Sequence, residues 1–320
     1  MIDKIISAFF AVVTAILSLF YTPTPVTQVN PATIPDATKN QTVTIMSYNV
    51  WIGGSGEKSP ENRTDEIVAN IRKYDPDSFG LQEADEGWME RLPAELSDYA
   101  YVGIGRNSNK GGGEASPVFY KKDKYELLDS GTFWLSKTPE KASKNWDAMF
   151  KRICTYAILK DKETGFTYAH FNAHFDHMGV IARNESVAVV SKKIAEIAPD
   201  IPVVFSGDFN DEEGGDAYNR VLESGFKDTK YIAAKSDNHS TYHGYSDLVE
   251  KEKPIDYIFV NGFVSKVEMY KVDAEEINGE GINDAIYNRT DVLQERFNAK
   301  ILTETRSQVG ATFFPSSQCP

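Results

Sequence analysis

The sequence predicts an α/β fold in which two β-sheets pack face to face and helices cover their outer sides. Segments with the length and alternation of strands outnumber segments with helical periodicity. The helical segments also fall between groups of strands, which favours helices on both outer sides over a separate helical region. At 320 residues the chain is long enough for one large domain of this kind, or for two small ones.

The first 41 residues are predicted to precede the globular domain. An apolar run from Ile5 to Tyr21 follows Lys4, a pattern typical of a signal peptide or a signal anchor over residues 1–21. Residues 22–41 are rich in Thr and Pro, which predicts an extended linker. We therefore expect an exported protein that is secreted or extracytoplasmic, and that stays at a membrane if the apolar helix is retained.

The first half of the domain, from about Thr42, alternates strands with helices. Ile67, Val68 and Ile71 have helical spacing, and Asp75-Pro76 ends that helix. Arg106–Glu114 contains three consecutive glycines and is predicted to be a loop; it lacks the Lys-Ser/Thr of a phosphate-binding loop. The predicted strands are Val43–Val50, Ser78–Gln82, Tyr99–Ile104, Pro117–Tyr120 and Tyr125–Trp134, and the helices are Glu61–Tyr74 and Glu86–Leu96.

The second half continues the pattern up to residue 303, and residues 304–320 are predicted to be a tail. The predicted strands are Ile153–Lys160, Thr167–His174, Ile201–Ser206, Pro254–Val260, Phe263–Val272 and Phe297–Leu302, and the helices are Val180–Ala198 and Ala217–Ser224. Cys154 lies in an apolar strand and is predicted to be a buried small side chain. With only one other cysteine, Cys319, no disulfide framework is implied.

The charge balance restricts the class of partner. The formal net charge is −13, whereas nucleic-acid binding relies on Lys and Arg against phosphates. Avid binding to nucleic acid is therefore disfavoured. A small phosphorylated substrate or a phospholipid head group, held through a divalent cation, remains compatible with this charge. No protein partner is implied.

Polar side chains stand at the ends of five predicted strands: Asn49, Glu83 and His174 each close one, Asp208 follows another, and Asp256 opens the fifth. Strand ends that meet at one edge are where sheets place ligand sites. Carboxylates gathered there repel each other unless a cation compensates. Oxygen ligands without cysteine suit Mg²⁺, Mn²⁺ or Ca²⁺ rather than structural zinc.

The motifs around these residues resemble those of the endonuclease/exonuclease/phosphatase superfamily, in the family's order. The resemblance covers roughly Thr42 to Asp291 and implies a four-layer α-β-β-α sandwich of two mixed sheets, with metal-dependent hydrolysis of phosphate esters. The matching motifs are Ser47-Tyr48-Asn49-Val50-Trp51, Gly80-Leu81-Gln82-Glu83, Asn172-Ala173-His174-Phe175, Ser206-Gly207-Asp208-Phe209-Asn210 and Ile255-Asp256-Tyr257-Ile258.

The resemblance also implies roles for single residues. Glu83, Asn49 and Asp291 would bind Mg²⁺ or Mn²⁺. The remaining matches would be catalytic: Asp208 orients or deprotonates the attacking water, Asn210 and His174 donate to the phosphate or leaving group, and Asp256 orients a second histidine.

Three further residues are predicted to bind substrate. Arg152 is a basic residue directly before a strand and suits a phosphate. Asn172 lies in the His174 motif, and His243 lies in a loop that could reach the site. Asp176 and His177 follow His174 closely enough to line the pocket.

The sequence departs from the family at its last motif, a small residue followed by Asp and His. Here Thr290-Asp291 is followed by Val292, and no histidine occurs after His243. Three explanations remain: a weakened or inactive binding protein, replacement by His239 or His243, or an altered C-terminal sequence. The predicted function is a phosphodiesterase or phosphatase, with an inactive binding protein, a secreted nuclease or a sphingomyelinase-like enzyme as alternatives.

Overall fold

A computed structural model describes residues 21–29, 40–52, 59–236, 240–241, 254–273 and 292–300. Its strands are β1 Asn40–Asn49, β2 Ser78–Gln82, β3 Tyr99–Val102, β4 Val118–Lys121, β5 Tyr125–Trp134, β6 Ile153–Asp161, β7 Thr167–His174, β8 Val203–Asp208, β9 Lys227–Asp228, β10 Asp256–Val260, β11 Val264–Asp273 and β12 Val292–Lys300. Its helices are α1 Pro60–Tyr74, α2 Glu86–Glu95, α3 Val180–Ile197, α4 Asp216–Glu223 and α5 Thr229–Ile232.

The strands form two six-stranded mixed sheets. The first has the order β11-β12-β1-β2-β4-β3 and the second β5-β6-β7-β8-β10-β9. Each sheet contains a central parallel pair, β1 with β2 and β7 with β8, and the other neighbours are antiparallel. The carboxyl ends of both parallel pairs carry the polar motifs. This pairing is the reason that four distant motifs meet at one edge of the sandwich.

Three apolar layers hold the sandwich together, which confirms the predicted α/β fold with helices outside two facing sheets. Between the sheets, Val43 and Ile45 pack with Leu159 and Val204. The outer face of the first sheet packs on α1 and α2, with Trp88 completely buried. The outer face of the second sheet packs on α3 and α4. Buried apolar area of this kind supplies most of the stabilising free energy of a domain.

A chain of buried polar side chains also crosses the apolar layer between the sheets. Gln82 Nε2 donates to Ser47 Oγ at 3.1 Å and to Asn172 Oδ1 at 2.7 Å, and Ser206 Oγ donates to the same Oδ1 at 3.2 Å. The chain continues through His170 to Ser78 and Tyr168. We call this chain of side chains the polar seam. Because buried hydrogen bonds require particular distances and angles, the polar seam sets the register of one sheet on the other.

Part of the segment predicted to be a linker is bound to the domain. Residues 21–29 are extended, as their composition predicts, but they lie along α3 and α4 as a strap. The Thr24 and Thr27 amides donate to Glu185 Oε1 and Ser191 Oγ at 2.8 and 3.1 Å. Val29 is buried and its amide donates to Ser224 O at 2.9 Å. The linker prediction is corrected for these residues, and β1 begins two residues before the predicted start at Thr42.

Within the described ranges, no helix has the length and apolar character needed to cross a membrane. The predicted signal segment lies almost entirely outside those ranges, as does the predicted tail.

Candidate active site

Two carboxylates from opposite sheets face each other at the shared strand edge. Glu83 follows β2 and Asp208 ends β8, and Asn49 at the end of β1 lies between them. Asn49 Nδ2 donates to Glu83 Oε1 at 3.1 Å and to Asp208 Oδ2 at 2.9 Å, while its Oδ1 accepts the Trp51 amide at 2.9 Å. The amide nitrogen of Asn49 thus faces both acids. Its predicted role as a metal ligand stays a prediction: in this arrangement Asn49 bridges the two carboxylates, and only its oxygen could bind a hard cation.

The turn after β1 holds the Glu83 side chain in place. Ile52 N donates to Glu83 Oε2 at 2.8 Å, and both Trp51 and Glu83 adopt left-handed backbone angles, with φ of 54° and 60°. Such a conformation costs a non-glycine residue roughly 1–2 kcal/mol. The turn is secured from α2 and α1: Trp88 Nε1 donates to Trp51 O at 3.0 Å, and Arg63, buried over the Trp88 ring, donates to Val50 O at 2.9 Å.

The protonated nitrogen of His174 is determined by Arg152. Arg152 Nη1 lies 2.8 Å from His174 Nδ1, and Nη2 lies 3.2 Å from His177 Nδ1. A guanidinium only donates, so both Nδ1 atoms accept and each neutral ring carries its proton on Nε2. Burial, assisted by Arg152 and Arg106, lowers the pKa of His174 well below its ordinary value and keeps the ring neutral.

His174 therefore presents an N–H donor to the site. Its Nε2 is 3.6 Å from Asp208 Oδ2, and the Asn210 amide nitrogen is 3.0 Å from Nε2 and 3.1 Å from Phe175 O. Ligand atoms of Glu83, His174 and Asp208 all lie within 4.8 Å of one another. The Nε2 proton makes His174 the member of this group that does not suit a cation.

Asp208 accepts short hydrogen bonds, but its surroundings disfavour the charged form of its carboxyl group. Asn210 N donates to its Oδ1 at 2.8 Å, in a turn where Asn210 has a φ of 47°. Burial and the Glu83 charge outweigh these hydrogen bonds and raise the pKa of Asp208 to about 6. A buried carboxylate with its pKa near neutrality is suited to accept a proton from water.

Two charged residues at the site come from the loop to which the sequence assigned no role. Arg106 and Glu114 form a paired contact, with Nη1–Oε2 and Nη2–Oε1 distances of 2.7 and 2.5 Å, and Arg152 lies 3.6 Å from Glu114. Burial raises the pKa of Glu114. The three consecutive glycines predicted only a loop, so no part in the site was predicted for this segment. Arg152, which the sequence predicted to bind a substrate phosphate, is buried, and its guanidinium contacts His174, His177 and Glu114.

The structure corrects the predicted substrate-binding role of Asn172. This side chain has no exposed surface, and its amide also donates to Leu81 O at 2.8 Å and to Pro117 O at 3.0 Å. Because all of these bonds lie between the sheets, Asn172 joins the sheets and does not reach the substrate. The close approach requires Gly80: a Cβ there would stand 2.3 Å from Asn172 Cγ.

Of the other predicted residues, the structure describes some and does not describe others. Asp256 opens β10, is buried, and pairs by its backbone with Asp208, so it lies at the site edge. The backbone of Val292 begins β12 and pairs with Tyr48, next to Asn49. Asp291 and His243 lie outside the described residues.

The residues present fit a divalent cation. Glu83 and Asp208 bring two carboxylates together at the strand edge, and burial, with a smaller contribution from the Glu83 charge, raises the pKa of Asp208. All-oxygen donors of this kind select Mg²⁺ or Mn²⁺ over soft metals. The arrangement can therefore hold a cation on Glu83 beside Asp208, opposite an N–H donor from His174.

Comparison with known proteins agrees with this geometry. Residues 46–278 match the endonuclease/exonuclease/phosphatase family model. A solved endonuclease/exonuclease/phosphatase of Bacteroides vulgatus is 32% identical, with a TM-score of 0.75 over 81% of this chain and 100% of that one. A mannosyl-6-phosphatase of Bacteroides thetaiotaomicron is 28% identical, with a TM-score of 0.69 over 82% of this chain and 100% of that one.

Among curated proteins, the CCR4-Not complex 3'-5'-exoribonuclease subunit Ccr4 of Emericella nidulans is 24% identical over 258 residues, 59% of this chain and 38% of that protein. The chain spans between 30% and 60% of the length of the curated relatives it matches. The family match covers more than half of the chain and includes the residues that form the site. The chain therefore belongs to the endonuclease/exonuclease/phosphatase family.

Proposed function

We propose that this protein hydrolyses the phosphate ester of a small phosphorylated molecule, with Mg²⁺ or Mn²⁺ as cofactor. The observation that carries the proposal is the meeting of Glu83, Asp208 and His174 within 4.8 Å, with acids from opposite sheets and an N–H donor beside them. Each element of phosphoryl transfer then has a residue: acids for a cation, a base for water, and a donor for the phosphate.

The residues divide the chemistry between them. A bound divalent cation would neutralise charge on the phosphoryl oxygens. Asp208, fixed by the Asn210 backbone amide, orients the attacking water and takes its proton. His174 Nε2–H, directed by Arg152 on the other side of the ring, donates to a phosphoryl oxygen. Asn210 lies beside that donor and completes the contact to the phosphate.

A small substrate, such as a sugar phosphate, is favoured over a polynucleotide. The net charge of −13 opposes the approach of a long polyanion. A family member that aligns over 82% of this chain is named as a mannosyl-6-phosphatase. The two exoribonuclease relatives align over less than two thirds of their own length, so they support a nuclease activity less directly.

We also propose an exported location for the enzyme. Its support is the apolar run Ile5–Tyr21 after Lys4. The Tyr21 hydroxyl donates to Glu185, in the second turn of α3 and near the strand edge that carries the site. If the apolar run is retained in a membrane, a phospholipid head group becomes a second substrate class. Membrane fractionation of the full chain, followed by N-terminal sequencing, tests this placement.

The central experiment is hydrolysis of a panel of sugar phosphates, a phosphodiester and a short single-stranded RNA, with Mg²⁺, with Mn²⁺ and with EDTA. We expect turnover of a sugar phosphate that EDTA abolishes and that Glu83→Gln reduces by at least about 10²-fold. The matched control is Glu126→Gln, an exposed acid at the opposite end of the second sheet. Metal-independent turnover, or full activity of Glu83→Gln, contradicts the proposal.

An inactive binding protein remains the alternative because the sequence predicts Val292 at the position of the family's last histidine. Val292→His should raise turnover by about 10²-fold or more if that position lacks only the histidine. Equal and robust activity of both proteins would mean that this position is not part of the machinery. Mg²⁺-dependent thermal stabilisation without turnover of any substrate would favour the binding protein.

A further inference from the structure

An aromatic pair stands exposed beside the candidate active site. The rings of Phe150 and His177 stack with centroids 5.5 Å apart and an interplanar angle of 27°. Phe150 is 37% exposed, and His177 is exposed as well. Most large apolar side chains in the described part of this domain are buried. An exposed aromatic pair at the rim of a polar site is therefore a surface on which a ligand ring can pack.

The pair is fixed to the catalytic residues by Arg152. The guanidinium carbon of Arg152 lies 5.7 Å from the centroid of Phe150, and that of Arg106 lies 5.1 Å away. The Phe150 amide donates to Asp176 Oδ2 at 2.8 Å, which ties its backbone to the loop before α3. These contacts hold the ring in place before a ligand arrives, so little conformational entropy is lost on binding.

The Arg152 guanidinium also fixes the tautomer of two neighbouring histidines. Arg152 donates to Nδ1 of both His174 and His177, so both rings carry their remaining proton on Nε2. His174 directs its N–H to the site of the two acids. His177 offers a second N–H next to the exposed Phe150 ring. A substrate whose phosphate meets His174 therefore has its alcohol portion within reach of the pair.

We infer that Phe150 and His177 form the subsite for the leaving alcohol, and that this alcohol is the ring of a phosphorylated pyranose. The inference rests on the function proposed above and deepens it. The C–H groups of a pyranose pack on aromatic rings, and its hydroxyl oxygens accept from His177 Nε2–H. In the reaction, the water oxygen bonds to phosphorus as the bond from phosphorus to the sugar oxygen breaks, and the proton from water ends on that sugar oxygen.

The test compares a hexose 6-phosphate with glycerol 3-phosphate, which has an acyclic leaving alcohol. Phe150→Leu keeps apolar bulk against Arg152 but removes the aromatic ring. We expect kcat/KM for the hexose phosphate to fall roughly tenfold, mainly through KM, with less than about twofold change for glycerol phosphate. Phe150→Tyr should retain the preference. The control is Tyr231→Ala, an aromatic residue 60% exposed on α5, and it should alter neither substrate.

Each other outcome overturns the inference in a recognisable way. Equal losses on both substrates would mean that Phe150 only supports Arg152, and no loss would mean that the ring does not meet the substrate. A larger loss on nucleoside 5'-monophosphates than on the hexose phosphate would assign the pair to a nucleobase. If the wild-type protein hydrolyses no phosphate ester, the proposed function fails. Calorimetry of hexose 6-phosphate with Mg²⁺ then tests the subsite, and equal binding to wild type and Phe150→Leu overturns it.

Discussion

The correction of Asn172 from a substrate ligand to a joint between the sheets leads to a quantitative prediction for Asn172→Leu. The variant has a similar volume but loses four buried hydrogen bonds: two donated to Leu81 O and Pro117 O, and two accepted from Gln82 and Ser206. Each such bond contributes about 1 kcal/mol net. We therefore expect the free energy of unfolding to fall by about 4 kcal/mol, which for a domain of this size lowers Tm by roughly 10 °C.

Urea unfolding measures this loss as a lower midpoint at an unchanged slope. Kinetics on the folded variant separate the two roles: kcat should fall because the polar seam sets the distance between Glu83 and His174, whereas KM should stay unchanged. Asn219→Leu is the matched control, since that amide is exposed on α4 and makes one hydrogen bond to Gly214 O. A loss below about 1 kcal/mol combined with a raised KM would refute the reasoning and restore Asn172 as a substrate ligand.

Three further predictions address the seam and the site. Burial lowers the pKa of His170 to about 3, below its unfolded value of about 6.5, so its contribution to stability is present above pH 6.5 and is lost as pH falls toward 3. Between pH 7.5 and pH 5, the stability difference between wild type and His170→Gln should shrink by about 2 kcal/mol in urea titrations; a constant difference contradicts the assigned burial. Arg152→Met should lower kcat by about 10²-fold and let the His174 proton move to Nδ1, which ¹⁵N NMR detects; an unchanged tautomer argues against the guanidinium as its cause. Trp88→Phe keeps an aromatic ring over Arg63 but removes the Nε1–H bond to the turn that holds Glu83, so the Kd for Mg²⁺ should rise about tenfold, and an unchanged Kd would exclude this support. The smaller ring leaves a cavity at this buried position, so the free energy of unfolding should fall as well.

Local patterns predicted most of the strands and helices. Ten elements have the predicted bounds within one residue at each end, for example Ser78–Gln82 and Thr167–His174. Alternation and helical spacing are properties of a few neighbouring residues, and the packing of the sheets did not override them here. The linker prediction for 22–29 was wrong because it used composition alone. Thr and Pro predict extended backbone, but the contacts of the strap come from Glu185, Ser191 and Ser224, far along the chain.

The site was only partly predictable for the same reason. Arg106, Glu114 and the pairing of Arg152 with two histidines depend on loops that meet across the second sheet, and no local pattern marks them. Asn172 was predicted in the correct motif but with the wrong role, because its motif does not reveal which way its amide points. Asn49 was predicted to bind a cation together with Glu83, and the structure places it between Glu83 and Asp208, where the Trp51 amide sets which atom it presents to them.

The sequence by itself determined the α/β class, the order of the strands along the chain, and which acids and amides end those strands. Each of these properties depends on a short stretch of neighbouring residues. Only the tertiary structure decided which of these residues touch. Gln82 and Asn172, 90 positions apart, meet because two sheets pack at one register, and Arg152 directs the proton of His174 because a hairpin brings them together. Hydrogen bonds depend on distances of a few tenths of an ångström, and those distances arise only when the whole sandwich has formed.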